Sequence, residues 1–461
     1  MNSVKCKMYN YLFKSVTMKT LCKSAKYFLI LALLFIPEIK AQSIDSLINE
    51  AIKNNPKLKS LQFKITASEK RSESVNSLPA PNFGIEFSQV PTNSINILNR
   101  ANSNNFSISQ MFPLGGKLNA MTEVESKNTL IEGSNYEIYK INLIAEIKSS
   151  YYSIWLYDRK IELQKRNNSL LIDLLNSIES SFYTNKFNQA DMLTLQSEIA
   201  SDETQLFIFE KEKEAEIYRL NKLLGRDLDS KEVSVNKELD STESTFTQIQ
   251  LEKIIEFNNP ALKKLDHMIQ MNKSMIDANN RELIPDLMLQ GMFMRMPQGM
   301  YLTSSSNLSM LSDKSATMYS LMFSINLPFA PWAINKYERK EEELFAGIKS
   351  IEHEKNDMSR EMIAELKAML VKYNTSNELI KLYSEKVLPL YSQAAESQST
   401  AYLSNKSTIT TVVDTYRMLI MQEMNLFMAK AELQMAQAEI EKLIGSRFGK
   451  INNQNFEWGI K

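Results

Sequence analysis

The sequence predicts a mainly α-helical chain with a small β part, built from two copies of one large unit. An Asn-Asn-Pro-x-Leu-Lys-x-Leu phrase occurs at 54–61 and returns at 258–265. Only 11 glycines and 12 prolines interrupt 461 residues, which is typical of few and very long elements. After each phrase, short segments of alternating apolar and polar residues precede a long helical tract. Copies this far apart indicate an internal duplication of long coiled-coil helices, unlike a solenoid of small repeats.

The first 41 residues have the order of a secretory signal peptide. Three lysines precede an apolar run from Tyr27 to Ile36, and Ala41 supplies a small residue for cleavage. The run is about ten residues long, roughly half of what a membrane-spanning helix needs. We therefore expect 1–41 to be cleaved, with Met18 as an alternative start. The cleavage would also remove both cysteines of the chain, Cys6 and Cys22.

The first predicted repeat covers 42–225. Apolar residues spaced by three and four indicate a helix near its start, which Pro56 interrupts. Strict alternation in the segments that begin at Asn82 and Asn105 predicts two strands, which form a β-hairpin at about 82–112. A long helical hairpin follows, with its tip near 185–188.

A polar linker, 226–248, leads to the second predicted repeat, 249–445. The elements come in the same order: a helix, a β-hairpin at about 286–327, and a long helical hairpin with its tip near 404–407. The first arm of this hairpin keeps a 4,3 spacing of apolar residues, so it should pack as a coiled coil with a kink at Pro389. The remaining residues, 446–461, form a C-terminal tail.

Composition argues against several classes of function. Lysine plus arginine and aspartate plus glutamate each number 54, so no net charge draws the chain to nucleic acid. Only His267 and His353 carry an imidazole, and the mature chain would have no cysteine, which removes most nucleophilic and zinc constellations. We expect no enzyme, no cofactor and no nucleic-acid partner.

The four amphipathic strands predict that several chains share one barrel. An open sheet edge is not tolerated in lipid, where backbone groups find no water, and four strands cannot close on themselves. Two chains would pool eight strands and three would pool twelve, both within the range of outer-membrane barrels. A soluble helical protein with two small hairpins explains the strands, but not their combination with a signal peptide and long coiled coils.

Together these features resemble the outer-membrane efflux factors, the TolC-like channel proteins of Gram-negative bacteria. The resemblance covers nearly the whole mature chain and rests on the signal peptide, the duplicated Asn-Asn-Pro helix, the two β-hairpins, the long helices and the tip turns. It implies a homotrimer in the outer membrane. In it, four transmembrane strands per chain form a twelve-stranded β-barrel continuous with an α-helical tunnel through the periplasm. It also implies a passive exit duct that contacts outer-membrane lipid, a periplasmic adaptor (membrane fusion) protein and an inner-membrane efflux pump.

The resemblance further implies a gate at the periplasmic tip, where acidic side chains ring the pore in a motif like Asp-Val-Leu-Asp-Ala. The segment Thr411-Val412-Val413-Asp414-Thr415 places Asp414 at the second acidic position and Thr411 at the first, whereas Asp191 keeps the first acid in the other copy. Alternatively, Asp191 is a helix-start charge and Asp414 a solvated residue. In the family, the tip turns contact the adaptor, and the matching residues here are Lys186, Phe187, Lys406 and Ser407. Ordinary exposed turns without a partner would have the same kind of sequence.

Methionines concentrate in the second β-hairpin. Alternation places six of them on the face that also carries Ser, Gln and Asn: Met288, Met292, Met294, Met296, Met318 and Met322. We expect this face to line the lumen and the aromatic and aliphatic face to meet lipid. Thioethers are soft ligands suited to Cu(I) or Ag(I), and in this the chain resembles the heavy-metal branch of the family.

Other functions remain open at this stage. Methionine is an adaptable filler that the chain uses freely elsewhere, so general drug or metabolite export is the stronger expectation for the substrate. Type I protein secretion is a further alternative for the duct. A periplasmic coiled-coil scaffold without a pore is the alternative from a different class.

Overall fold

The computed structural model describes residues 43–92, 95–182, 189–230, 233–239, 247–297, 301–302, 310–311, 315–404 and 406–446. Helices dominate, and a small antiparallel sheet leads directly into the longest of them, which confirms the mainly α class with a small β part. The predicted signal peptide, the tip residues Lys186 and Phe187 and nearly all of the predicted tail lie outside the described residues.

The first half of the chain contains five helices and two strands in its described part. In chain order these are α1 (Ile44–Asn54), α2 (Pro56–Val75), β1 (Asn82–Ser88), α3 (Ile97–Arg100), β2 (Ser103–Phe112), α4 (Lys117–Phe182) and α5 (Gln189–Leu224). Helix α4 has 66 residues, so at about 1.5 Å per residue it extends for roughly 100 Å.

The second half also leads from two helices through strands into long helices, but it has two short strands where the first half has α3. It contains α6 (Gln248–Asn258), α7 (Pro260–Arg281), β3 (Leu287–Met296), β4 (Tyr301–Leu302), β5 (Met310–Leu311), β6 (Ala316–Ile325), α8 (Pro331–Leu382), α9 (Leu388–Leu403) and α10 (Ile409–Ile444). A π-helical turn, Tyr383–Val387, joins α8 to α9, and the Leu388 N–H donates to the Tyr383 carbonyl. The next residue, Pro389, has no N–H to donate. The π-helical turn adds one residue to the helical turn before it, which lets the helix continue past the proline.

The two Asn-Asn-Pro phrases make equivalent joints. In the first, Asn55 Oδ1 accepts from the Lys57 and Leu58 N–H groups, and Asn55 Nδ2 donates to the Leu223 carbonyl at 2.9 Å. In the second, Asn259 Oδ1 accepts from the Ala261 N–H, and Asn259 Nδ2 donates to the Leu443 carbonyl at 2.8 Å, which closes α10. Each asparagine therefore caps one helix and satisfies an end carbonyl of another.

A hydrophobic core surrounds each joint. The first core packs α1 and α2 against α4 and α5, and its largest fully buried side chains include Leu47, Ile48, Leu58, Ile147 and Leu220. The second packs α6 and α7 against α8 and α10 around Leu251, Ile255, Leu262, Leu366 and Ile444. A third core lies near the tips and joins the two helical hairpins through Leu171, Ile178, Leu195, Tyr402, Ile409, Val412 and Val413.

The predicted linker lies against the first core. The Trp155 indole N–H donates to the Lys237 carbonyl at 3.1 Å, and the Tyr151 hydroxyl accepts from the Asn236 N–H at 3.0 Å. Val233 and Val235 pack on the same core. These contacts fix the described part of the linker to α4.

The sheet is a four-stranded antiparallel unit in the order β1-β2-β3-β6. Pairing within the hairpins sets Phe83 opposite Ile108 and Met294 opposite Met318. The central pair, β2 with β3, joins the two halves and sets Phe112 opposite Leu287. The short strands β4 and β5 pair separately within the second hairpin.

A glycine corner connects β2 to α4. Gly115 has φ 68°, and a Cβ there would lie 2.3 Å from a methyl of Ile284, so only glycine fits without a shift. The first residue of α4, Lys117, is buried and pairs with Asp286 at 2.8 Å and Glu282 at 3.4 Å. The corner therefore fixes the sheet to the helices of both halves.

Candidate functional site

One face of the sheet is a continuous apolar surface that the chain leaves exposed. The largest exposures lie on β6, where Tyr319 is 84%, Leu321 70% and Phe323 71% accessible. The neighbouring strands contribute further exposed apolar side chains to the same face: Phe83, Ile85, Phe106, Ile108 and Phe293. A soluble sheet would bury such a face, whereas a surface of this kind is what lipid or a partner covers.

The other face is polar and rich in thioethers. The register places its residues in four rows across the strands. In the strand order β1, β2, β3 and β6, the first row is Glu86, Asn105, Met294 and Met318, and the second is Gly84, Ser107, Met292 and Ser320. The third row is Asn82, Ser109, Gln290 and Met322. The fourth row, on β2, β3 and β6, is Met111, Met288 and Ser324. Five of the six methionines predicted from alternation thus lie in these rows, and Met296 follows one step further along the same face, opposite Ala316. Met111 is a seventh member that the sequence analysis missed.

At the tip, the two acidic gate candidates, Asp414 and Asp191, make separate contacts. Asp414 is exposed and accepts from Arg417 Nη1 at 3.0 Å, one turn further along α10. Arg417 also forms a two-point ion pair across the hairpins with Glu198 of α5, at 3.0 and 2.6 Å. This hydrogen bond to Glu198 chiefly raises the pKa of Arg417, so the guanidinium stays charged.

Asp191 lies in the first turn of α5, near the other hairpin. Burial, together with the negative charge of Asp191, raises the pKa of Tyr402 to about 12, so the phenol is neutral. Thr411, the third candidate, takes part in the start of α10: its N–H donates to the Thr408 hydroxyl oxygen, and the two hydroxyls are 2.9 Å apart. Of the turn candidates, Lys406 is exposed and the Ser407 hydroxyl donates to Gln398 Oε1 at 2.9 Å.

A buried carboxyl group lies behind the Arg417–Glu198 pair. Asp202 Oδ2 accepts from Asn167 Nδ2 at 2.5 Å, and Asp202 is only 7% exposed. Burial chiefly raises the pKa of Asp202, and the nearby Glu198 charge adds to this, against the hydrogen bonds from Asn167 and Gln164 and the charge of Arg417. Arg417 follows Asp414 by three positions and could have been suspected from sequence, whereas its partner Glu198 could not.

Among the residues that the structure describes, no helix combines the length and apolar character needed to cross a bilayer.

One family model and several solved structures of outer-membrane channels are similar to the chain. Residues 47–226 match the family model described as Outer membrane efflux protein. Similar solved structures include the outer membrane channel CmeC of Campylobacter jejuni, at 12% identity and TM-score 0.69, over 89% of this chain and 88% of that one. The open-state outer membrane channel MtrE of Neisseria gonorrhoeae is 14% identical at TM-score 0.66, over 88% and 89% of the two chains.

A third similar structure is CusC, described in connection with transmembrane channel formation. It is 16% identical at TM-score 0.68, over 88% of this chain and 92% of that one. No curated protein sequence matches the chain at a significant level. At these identities the structural likeness establishes the fold.

Proposed function

We propose that the chain belongs to the outer membrane efflux protein family, whose model matches residues 47–226, and that it is the outer-membrane exit duct of a tripartite efflux system. In this role it is a passive channel with no catalytic chemistry. An inner-membrane pump and a periplasmic adaptor deliver the substrate, which leaves through the lumen.

The sheet is the observation that carries this proposal. One face exposes a band of large apolar side chains and the other a set of polar and thioether side chains, as the wall of a membrane barrel requires. Its edge strands, β1 and β6, run in opposite directions because every neighbouring pair is antiparallel. Copies can therefore join β1 to β6 in antiparallel fashion, and a homotrimer closes at twelve strands.

We assign the helical hairpins to a tunnel through the periplasm. The equivalent joints at Asn55 and Asn259 support an internal duplication, so that three chains supply six similar units around the pore. At the tip we propose that Asp414 and Asp191 form the acidic gate, with the Arg417–Glu198 pair joining the hairpins behind it. Lys406 and Ser407, together with the predicted tip residues Lys186 and Phe187, are assigned to adaptor contact.

Two adjacent positions on β6 test the duct. Phe323 lies on the apolar face at 71% exposure, and Met322 lies on the polar face at 48%. A lysine in a lipid-facing position costs about 2–4 kcal/mol at mid-membrane and less toward the membrane interfaces, whereas a lumen position tolerates it. Phe323 lies two residues from the end of β6, so we expect Phe323→Lys to reduce the yield of heat-modifiable trimers in the outer membrane. Met322→Lys should assemble and shift the channel toward anion selectivity in planar bilayers.

Several outcomes would contradict the proposal. Wild-type protein that gives no conductance in planar bilayers would exclude a duct and favour the scaffold. Normal assembly of Phe323→Lys together with loss of Met322→Lys would reverse the two faces of the sheet. Monomers in detergent, with no heat-sensitive trimer, would exclude the shared barrel.

A further inference from the structure

We propose that the polar face of the sheet holds two binding sites per chain for a soft monovalent metal ion, each made of three methionine thioethers. The inference rests on the proposed function, because it takes this face to line the pore. It assigns to the lumen a ligand class, Cu(I) and Ag(I), and a location on particular strands.

The strand register brings the thioethers into two groups of three. In the first group, Met294 and Met318 are directly opposed on β3 and β6, and Met292 is the diagonal neighbour of Met318. Side chains directly opposed across antiparallel strands have Cβ atoms about 4.5–5.5 Å apart, and diagonal neighbours lie within reach of long side chains. Three flexible thioethers can therefore converge on one ion.

The second group spans three strands. Met111 on β2 is directly opposed to Met288 on β3, and Met322 on β6 is the diagonal neighbour of Met288. The two groups are contiguous, because Met322 is also diagonal to Met292. An ion that leaves one group therefore finds the next one beside it along the strands.

Exposure argues against a packing role for these methionines. Buried methionine commonly fills gaps in a core, but Met111, Met318 and Met322 are 40%, 41% and 48% exposed, and Met288, Met292 and Met294 are half-buried on a face without a packed core. The same face carries serine, asparagine and glutamine, which suit contact with water. Apolar side chains kept at such positions are better explained by the sulfur atom than by volume.

The ligand chemistry selects the ion. A thioether is a neutral, soft donor, which favours Cu(I) and Ag(I) over hard cations such as Mg²⁺ or Ca²⁺. Neutral ligands leave the charge of the ion uncompensated, so binding is reversible. Several weak adjacent sites are what conduction along a pore requires.

Silver nitrate in chloride-free buffer is the probe, because Ag(I) needs no reductant. Isothermal titration of the purified mature protein, which has no cysteine after cleavage at Ala41, should give two ions per chain in detergent. The double variant Met294→Leu/Met318→Leu should remove the ion of the first group, and the double variant Met111→Leu/Met288→Leu should remove the ion of the second. Leucine keeps the volume of methionine and removes the sulfur. The matched control is Met418→Leu/Met421→Leu on α10, whose methionines are both 50% exposed; it should still bind two.

A second measurement needs no variant. Bound silver should protect the strand methionines from oxidation to sulfoxide by dilute peroxide, while Met418 and Met421 stay reactive. No silver binding, unchanged stoichiometry in both strand variants, or loss of ions in the control variant would overturn the inference. Conductance in bilayers is measured on the same preparation: a conducting channel without silver sites refutes only the sites, and silver sites without conductance refute only the duct.

Discussion

Truncating Asn55 measures what the repeated phrase does for the fold. Asn55 is 4% exposed; it caps α2 and its side chain satisfies the Leu223 carbonyl at the end of α5. Asn55→Ala loses a cap worth about 1 kcal/mol. It also leaves a carbonyl unsatisfied in a buried place, at about 1–3 kcal/mol. The sum is a destabilisation of about 2–4 kcal/mol.

Urea unfolding of the purified protein in detergent, followed by helical circular dichroism, checks this value. Asn54→Ala is the matched control, because Asn54 is the exposed neighbour in the same phrase and should shift the midpoint little. Asn259→Ala should resemble Asn55→Ala, and the double variant should be additive, since Leu223 and Leu443 belong to separate cores. Equal midpoints for Asn55→Ala and Asn54→Ala would contradict the capping role of Asn55.

Three further predictions concern the tip and the glycines. Arg417→Gln removes the ion pairs with Glu198 and Asp414 and should raise the open probability in planar bilayers. Adding Glu198→Gln should change it little further, because Glu198 has then already lost its partner; additive effects would contradict this. Asp202→Asn should raise the thermal midpoint at neutral pH, since the raised pKa of the carboxyl group means that its charged form is disfavoured in the fold. The gain over wild type should shrink as pH falls through that raised pKa and vanish below the ordinary pKa of an aspartate, and a gain that persists in stronger acid would contradict it. Gly225→Ala should destabilise the fold, because Gly225 has φ 73° and a new Cβ would lie 2.9 Å from a backbone carbonyl oxygen. Gly133→Ala should stabilise the fold by about 1 kcal/mol, because Gly133 lies in a helix with open space around it. A thermal midpoint higher for Gly225→Ala than for Gly133→Ala would contradict both expectations.

Local patterns in the sequence are sufficient to predict the helices and strands, but not which strands or helices pack together. Alternation predicts strands that begin at Asn82 and Asn105, and the structure has β1 at Asn82–Ser88 and β2 at Ser103–Phe112. The pairing of β2 with β3 joins segments such as Phe112 and Leu287 that are far apart in the chain, and no local pattern encodes that choice. The mainly α class could therefore be predicted, whereas the strand order required the structure.

The candidate sites divide in the same way. Met111 could have been predicted, because Ser107, Ser109 and Met111 alternate on one face of β2; its place opposite Met288 depends on register. The Arg417–Glu198 pair depends on how two helical hairpins pack, which periodicity alone does not determine. Pro389 predicts a disturbance in the helix. That the disturbance is a π-helical turn depends on how the structure accommodates the backbone carbonyl that the missing proline N–H leaves without its helical partner.

Disulfide cross-linking between edge strands tests the shared barrel most directly, because both native cysteines precede the predicted cleavage site. Glu86→Cys on β1 is combined in turn with cysteine at Met318, Ser320 or Met322 on β6, all on the polar face. The control pairs it with Leu321→Cys on the opposite face. A closed trimer predicts that at least one polar-face pair yields linked dimers and trimers and nothing larger, and that the control yields neither. Monomers for every pair, a ladder that ends at two chains, or one that continues beyond three would contradict a closed trimer.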